Sequence, residues 1–146
     1  MANLIKVTTT INAPIENVWV VLMNPHNLQH WLTGFVSVKH VSGIIGEAGS
    51  TSQLKFMERG KEMDITETVW FVKPQQQYTS KMTHDTFETE SDIRLISFGH
   101  RTELIQTVQF SPKGFAMKLF MPIMKGVMKK RMANELLKLK NFIETK

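Results

Sequence analysis

Cysteine is absent from the 146 residues, which excludes a disulfide framework, a thiolate metal site and a cysteine nucleophile. Apolar runs fall far short of the ~20 residues that carry a helix across a bilayer. The opening MANLIKVTTT has no basic segment leading into an apolar stretch, so no secretory leader is read there, and the expected location is cytoplasmic. Residues 43–49 contain glycines but lack a GK[ST] ending and precede a strand rather than a helix, so they form no phosphate loop. No serine, histidine and acid occur in a triad-like context, and no catalytic residue is assigned. Of the five histidines, His26 and His30 stand four apart, as a metal-binding pair would. Neither a cysteine nor a matching carboxylate completes such a site, so neither a metal nor a cofactor is expected. His40, His84 and His100 are isolated near strand ends.

What is present is an ordinary globular composition, 42% hydrophobic and 21% charged, at a size suited to one compact domain over 1–146. No period of 20–50 residues repeats and no low-complexity linker interrupts the chain. Charge is unevenly placed. Residues 1–112 carry 9 Lys/Arg against 11 Asp/Glu, whereas 113–146 carry 9 against 2. Such a basic tail suits an anionic surface, or the solvated face of one helix. The lysines lack interleaved exposed aromatics and no reading motif accompanies them, so nucleic-acid binding is not expected.

Ile5, Val7, Thr9 and Ile11 alternate with polar residues over 4–12, the period of a half-buried strand. Asn12 before Ala13-Pro14, with Glu16 behind, predicts a helix start; Ile15, Val18, Trp19 and Leu22 form its apolar stripe. A second short helix spans about 26–32. Six further strands follow at 35–42, 50–58, 62–73, 77–83, 86–98 and 101–111, separated by Gly, Pro and Asp turns. Apolar residues then recur every three to four positions from Met117 to Ile143, with lysines mainly opposite. This predicts one long amphipathic helix whose regular start Pro122 and Gly126 delay or bend. Strands segregated from helices make an α+β domain.

The pattern resembles the START-like, helix-grip (SRPBCC) superfamily of pollen-allergen proteins, polyketide cyclases and aromatases, and START lipid-transfer domains. Ile11-Asn12-Ala13-Pro14-Ile15-Glu16-Asn17-Val18-Trp19 is similar to its I-x-A-P-x-E-x-V-W opening. Trp31, the glycines at 46 and 49, Pro74 after Val72-Lys73, and the ending Leu139-Lys140-Asn141-Phe142-Ile143-Glu144 match further positions. The resemblance implies a seven-stranded curved antiparallel sheet around a long C-terminal helix, with an apolar cavity between them.

From this follows the leading expectation, that the cavity binds a small apolar or amphiphilic ligand: a lipid, a polyketide or an aromatic compound. Val7, Phe56, Phe87, Ile93, Leu104 and Val108 are expected to line it from the strands. Met117, Met121, Met124 and Met128 are expected to do so from the helix, since unbranched thioethers adapt to varied shapes. Thr9, Ser91 and Gln106 would orient a polar group. Core packing is the competing role for each. Glu67 shares parity with Met63, Ile65, Val69 and Phe71: it faces inward onto a ligand, or a bulge turns it out to solvent. The alternative function is a polyketide cyclase or dehydratase, favoured if Glu67 or a histidine meets a second polar group in the cavity. A lesser alternative is a peripheral lipid-transfer protein in weak contact with anionic membrane, through 115–124 and the adjoining lysines. There the competing role is packing of Phe115, Phe120 and Met121 on the sheet. Monomer and homodimer are both compatible with the sequence.

Overall fold

In the computed structural model, which describes residues 4–145, strand β1 (Leu4–Ile11) leads into helix α1 (Ile15–Met23). A 3-10 turn, Pro25–Asn27, and the one-turn helix α2 (Leu28–Trp31) follow. The chain then runs through β2 (Phe35–Ser42), β3 (Thr51–Glu58), β4 (Lys61–Lys73), β5 (Gln77–Thr83), β6 (Phe87–Ser97) and β7 (Thr102–Pro112). It ends in α3 (Phe115–Leu119) and α4 (Met121–Glu144). All seven strands join one antiparallel sheet in the order β1-β7-β6-β5-β4-β3-β2, curved around the C-terminal helix in an α+β helix-grip arrangement.

The strands sit within one residue of where alternation places them, because one face of the sheet is covered. On β6, Thr89, Ser91, Ile93 and Leu95 are buried while Glu90 and Arg94 between them are exposed. The helix start differs from expectation. Pro14, not Asn12, holds the capping position of α1 without a side-chain bond, and its carbonyl accepts from Val18 N–H. The backbone N–H of Asn12 is instead spent on Glu144 Oε2 at 2.7 Å. Proline 122 acts as the sequence implied: the helical run breaks at Phe120, and α4 restarts with Pro122 in its first turn, where a missing N–H costs nothing.

The core is concentrated under the second half of α4. Met132, Leu136, Leu139 and Ile143 cluster with Ile5, Val7 and Ile11 of β1, Leu104 of β7 and Val18 of α1. Leu104 and Leu139 are fully buried. Two polar ties fix the helix at this end. Lys140 Nζ donates to Thr10 O at 2.8 Å and to Glu144 Oε2 at 2.5 Å, so that Glu144 bridges Lys140 and the Asn12 amide. These donors hold the Glu144 carboxyl below its ordinary range, the backbone amide first. Further forward, Thr33 is held from three sides: its N–H donates to Glu135 Oε2 (2.8 Å), its carbonyl accepts from Arg131 Nη2 (2.8 Å), and Lys138 reaches its hydroxyl (3.3 Å). Arg131 also pairs with Glu58 at the end of β3. Gly34, next in line, has φ +74°, and a Cβ there would stand 2.6 Å from Met57 O, so only glycine fits the turn into β2.

Thr102 joins the sheet to the helical layer. It is fully buried, and its hydroxyl donates to the Ala13 carbonyl at 2.8 Å. Thr102→Val keeps the shape but strands that carbonyl, so unfolding in urea should show a loss of about 1–3 kcal/mol, with Thr102→Ser losing less. Equal stability of all three proteins would show that the bond contributes nothing.

Candidate functional site

The front half of α4 does not pack as the back half does. Between it and strands β3–β7 the structure leaves a cavity of two adjoining lobes that share Leu32, Met82, Ser91 and Gln106 in their walls. The outer lobe, about 350 Å³, lies under α3 and α4 and is walled by Phe56, Phe87, Val108, Met117, Met124 and Met128. The inner lobe, about 150 Å³, lies under the short helices. Trp19, Leu28 and Trp31 cover it, and its sheet side carries Glu67, Tyr78, Ser80 and Ile93.

Most of the wall residues expected from sequence are therefore brought together: Phe56, Glu67, Phe87, Ser91, Ile93, Gln106, Val108, Met117, Met124 and Met128. Four are not on the wall, and each is a correction. Val7 and Leu104 point inward, but they lie opposite the tightly packed half of α4 and belong to the solid core. Thr9 pairs with Leu104 across β1 and β7 in the same region and is only half buried. Met121 is buried at the first position of α4, just after the break at Phe120, outside the cavity lining.

Glu67 is the residue on which the chemistry turns. A bulge does occur in β4, but it lies between Val69 and Phe71, three residues beyond Glu67. Trp70 is the extra residue. Beyond it the alternation reverses, leaving Trp70 and Phe71 half exposed, with Lys81 Nζ 5.8 Å from the Trp70 ring. Glu67 itself keeps the inward parity of Ile65 and Val69, paired across the ladders with Ser52 and Met82. The Tyr78 and Ser80 hydroxyls on β5 hydrogen-bond to its carboxyl. Burial pushes the Glu67 carboxyl above its ordinary 4.5, only partly offset by the hydroxyls of Ser80 and Tyr78. Burial, and then the neighbouring carboxyl, pushes the Tyr78 phenol up, so it stays protonated. Among the described residues, no lysine, arginine or histidine lines this lobe to neutralise the acid. Trp31 closes the lobe at 6% exposure, and its indole Nε1 has no hydrogen-bond partner.

Tyr78, Ser80, Trp19, Trp31 and Met82 were missed as wall residues. The signal for three of them was available, since Tyr78, Ser80 and Met82 alternate along one face of β5. The histidines lie elsewhere: His30 stacks on Phe142 at 4.5 Å, His40 Nε2 bonds with Gly43 O, and His84 with Thr86. Among the described residues, no group of three or more His, Asp or Glu stands close enough to hold a metal, and no helix is long and apolar enough to cross a membrane.

The sequence matches the family model described as polyketide cyclase / dehydrase and lipid transport over residues 4–144. No curated protein matches. Similar solved structures include the Zhui aromatase/cyclase of a Streptomyces species, at 15% identity and TM-score 0.81, covering 97% of this chain and 93% of that one. A START superfamily protein from Mycobacterium smegmatis matches at 14% identity and TM-score 0.80, with 97% of each chain covered. A Thermus thermophilus protein matches at 16% and 0.79, again over 97% of each. At these identities the likeness is one of fold.

Folding favours protonated Glu67, so this group leaves stability unchanged with pH below the ordinary value of 4.5 and costs stability progressively as pH rises from there through the raised value. Glu67→Gln removes that titration. Its melting temperature should fall less than that of the unaltered protein between about pH 5 and 8, as read by scanning calorimetry. Parallel profiles would show that Glu67 is ionised without cost.

Proposed function

Because the chain belongs to the polyketide cyclase / dehydrase and lipid transport family, we propose that it is a ligand-binding domain holding a small apolar or amphiphilic molecule in the two-lobed cavity. The observation that carries this is the cavity itself: a concave space, walled largely by Phe, Met and Val at the front and by a few convergent polar groups within. The methionines of α3 and α4 suit a wall that must accept more than one shape, and Ser91 and Gln106, common to both lobes, suit the orienting of a polar group. A cytoplasmic setting fits the absence of cysteine.

Nile red and a flavonoid panel test the proposal. The dye should bind saturably with blue-shifted emission. Met128→Trp, whose larger ring intrudes on the outer lobe, should weaken it at least ~10-fold, about 1.4 kcal/mol, without lowering the melting temperature by more than a few degrees. Absence of saturable binding by every compound would sink the proposal.

One observation favours the enzyme alternative, a cyclase or dehydratase. Glu67 meets a second and a third polar group in Tyr78 and Ser80, while burial pushes its carboxyl toward the protonated form that a cavity acid uses on a carbonyl or hydroxyl. Another bears on how an apolar ligand arrives. Phe115 (81%) and Phe120 (54%) are exposed, against the competing role of packing on the sheet, whereas Met121 is buried; Leu119 and Ile123 are exposed as well, with Lys118, Lys129 and Lys130 near in the chain. Aromatic and aliphatic bulk beside lysines is the composition of an interfacial segment, and Met117 and Met124 in the same stretch wall the outer lobe. Sedimentation with vesicles should show binding to anionic but not neutral lipid, weakened by salt and by Lys129→Glu with Lys130→Glu. Equal binding to both vesicles would remove the membrane from the proposal.

A further inference from the structure

The inner lobe differs from the outer one in a way that specifies what enters it. Its one carboxylic acid has no cation to meet, because among the described residues no Lys, Arg or His lines the lobe. A bare carboxylate there is costly, and burial pushes the Glu67 carboxyl toward its protonated form, the Ser80 and Tyr78 hydroxyls offsetting only part of that. A protonated carboxyl is a donor as well as an acceptor, so it can hydrogen-bond to these hydroxyls and to a ligand oxygen. Ser91 and Gln106, shared with the outer lobe, add a hydroxyl and an amide to the same lobe. The lobe therefore has several uncharged donors to offer and, among the described residues, no positive charge.

We propose that the inner lobe takes the uncharged, oxygen-bearing end of the ligand, a ketone, ester or hydroxyl, with Glu67, Ser91 and Gln106 donating to its oxygens, and that it rejects carboxylate ends. This rests on the cavity being a binding site and narrows what it binds. A carboxylate entering the lobe would lie beside Glu67 with no cation to offset either charge. An ammonium would find aromatic faces in Trp19, Trp31 and Tyr78, but it offers no acceptor to the Ser91 and Gln106 donors and has to ionise Glu67 to gain a counter-charge. At about 150 Å³ the lobe holds roughly one aromatic ring, so the remaining apolar body extends past Leu32 and Met82 into the outer lobe.

Three compounds on one skeleton separate the possibilities: 2-acetylnaphthalene, 2-naphthoate and 2-naphthylmethylammonium, each measured at pH 7 against the whole chain by displacement of Nile red. The ketone is expected to bind at least ~10-fold tighter than either charged compound. Glu67→Leu should remove about that factor for the ketone and bring the three together. Glu67→Gln, whose amide still donates, should hold ketone affinity within a few-fold, and Gln106→Leu should lower it several-fold. Far-UV circular dichroism and the melting temperature show whether each variant is folded, and Glu67→Gln and Gln106→Leu keep the test intact if Glu67→Leu is not. Tighter binding of naphthoate or of the ammonium overturns the assignment while leaving the cavity a binding site. So does a Glu67→Leu protein, folded, with unchanged ketone affinity. Failure of Nile red itself to bind overturns both.

Discussion

Leu136 and Leu139, fully buried beside Ile5 and Ile11, hold the C-terminal half of α4 against the β1 edge of the sheet, and the remaining architecture follows from that contact. A straight helix laid on a curved sheet can pack closely along only part of its length. Close packing is spent on the back half, where aliphatic residues meet aliphatic residues with nothing between. The front half is left standing over β3–β7, with long flexible methionines lining the space between. The Lys140–Glu144–Asn12 bridge maintains this asymmetry by fixing the helix behind the cavity, and the ties to Thr33, made by Arg131 and Glu135 of the outer lobe's wall, fix it at the cavity's edge.

Most of the sheet was legible in the sequence because period-two alternation is a local signal that burial of one face enforces. Residues 87–95 state it most plainly, and β6 obeys it residue by residue. The cavity was legible only in outline. Val7 and Leu104 have the same inward parity as Val108 and Ile93, and nothing local distinguishes an inward residue under a packed helix from one under an open space. That distinction depends on where the helix makes contact, a long-range property. Glu67 shows the converse. Parity placed it inside, and the cost of a buried acid argued for a bulge to turn it out. The two hydroxyls that offset part of that cost come from the neighbouring strand, β5, and the bulge that does occur serves the outer face, exposing Trp70 and Phe71.

The inner lobe shows how polar groups are accommodated in an apolar interior without ion pairs. Glu67, Tyr78 and Ser80 satisfy one another largely through hydroxyls, which carry no charge to desolvate, while Trp31 remains unsatisfied. The outer face of the same sheet uses the opposite device: Asp92 collects Gln77, Thr79 and Arg94 where water can share the load, and its carboxyl sits below its ordinary range despite partial burial. One sheet thus holds an acid pushed up on its inner side and an acid pulled down on its outer side, by virtue of parity alone.

The ties at Thr33 also set a mechanical boundary. Arg131 and Glu135 grip both backbone groups of Thr33, and Arg131 reaches Glu58 on β3 as well, so α2, the start of β2 and the end of β3 are linked to one turn of α4. That turn acts as a fulcrum. Any widening of the outer lobe that leaves these bonds intact is made by the stretch ahead of Arg131, roughly three turns of helix together with α3. A tilt of those turns displaces Met117 and Met124 most and Met128 least, so the aperture opens like a hinged flap at the end farthest from Trp31, and the inner lobe keeps its shape while the outer one changes.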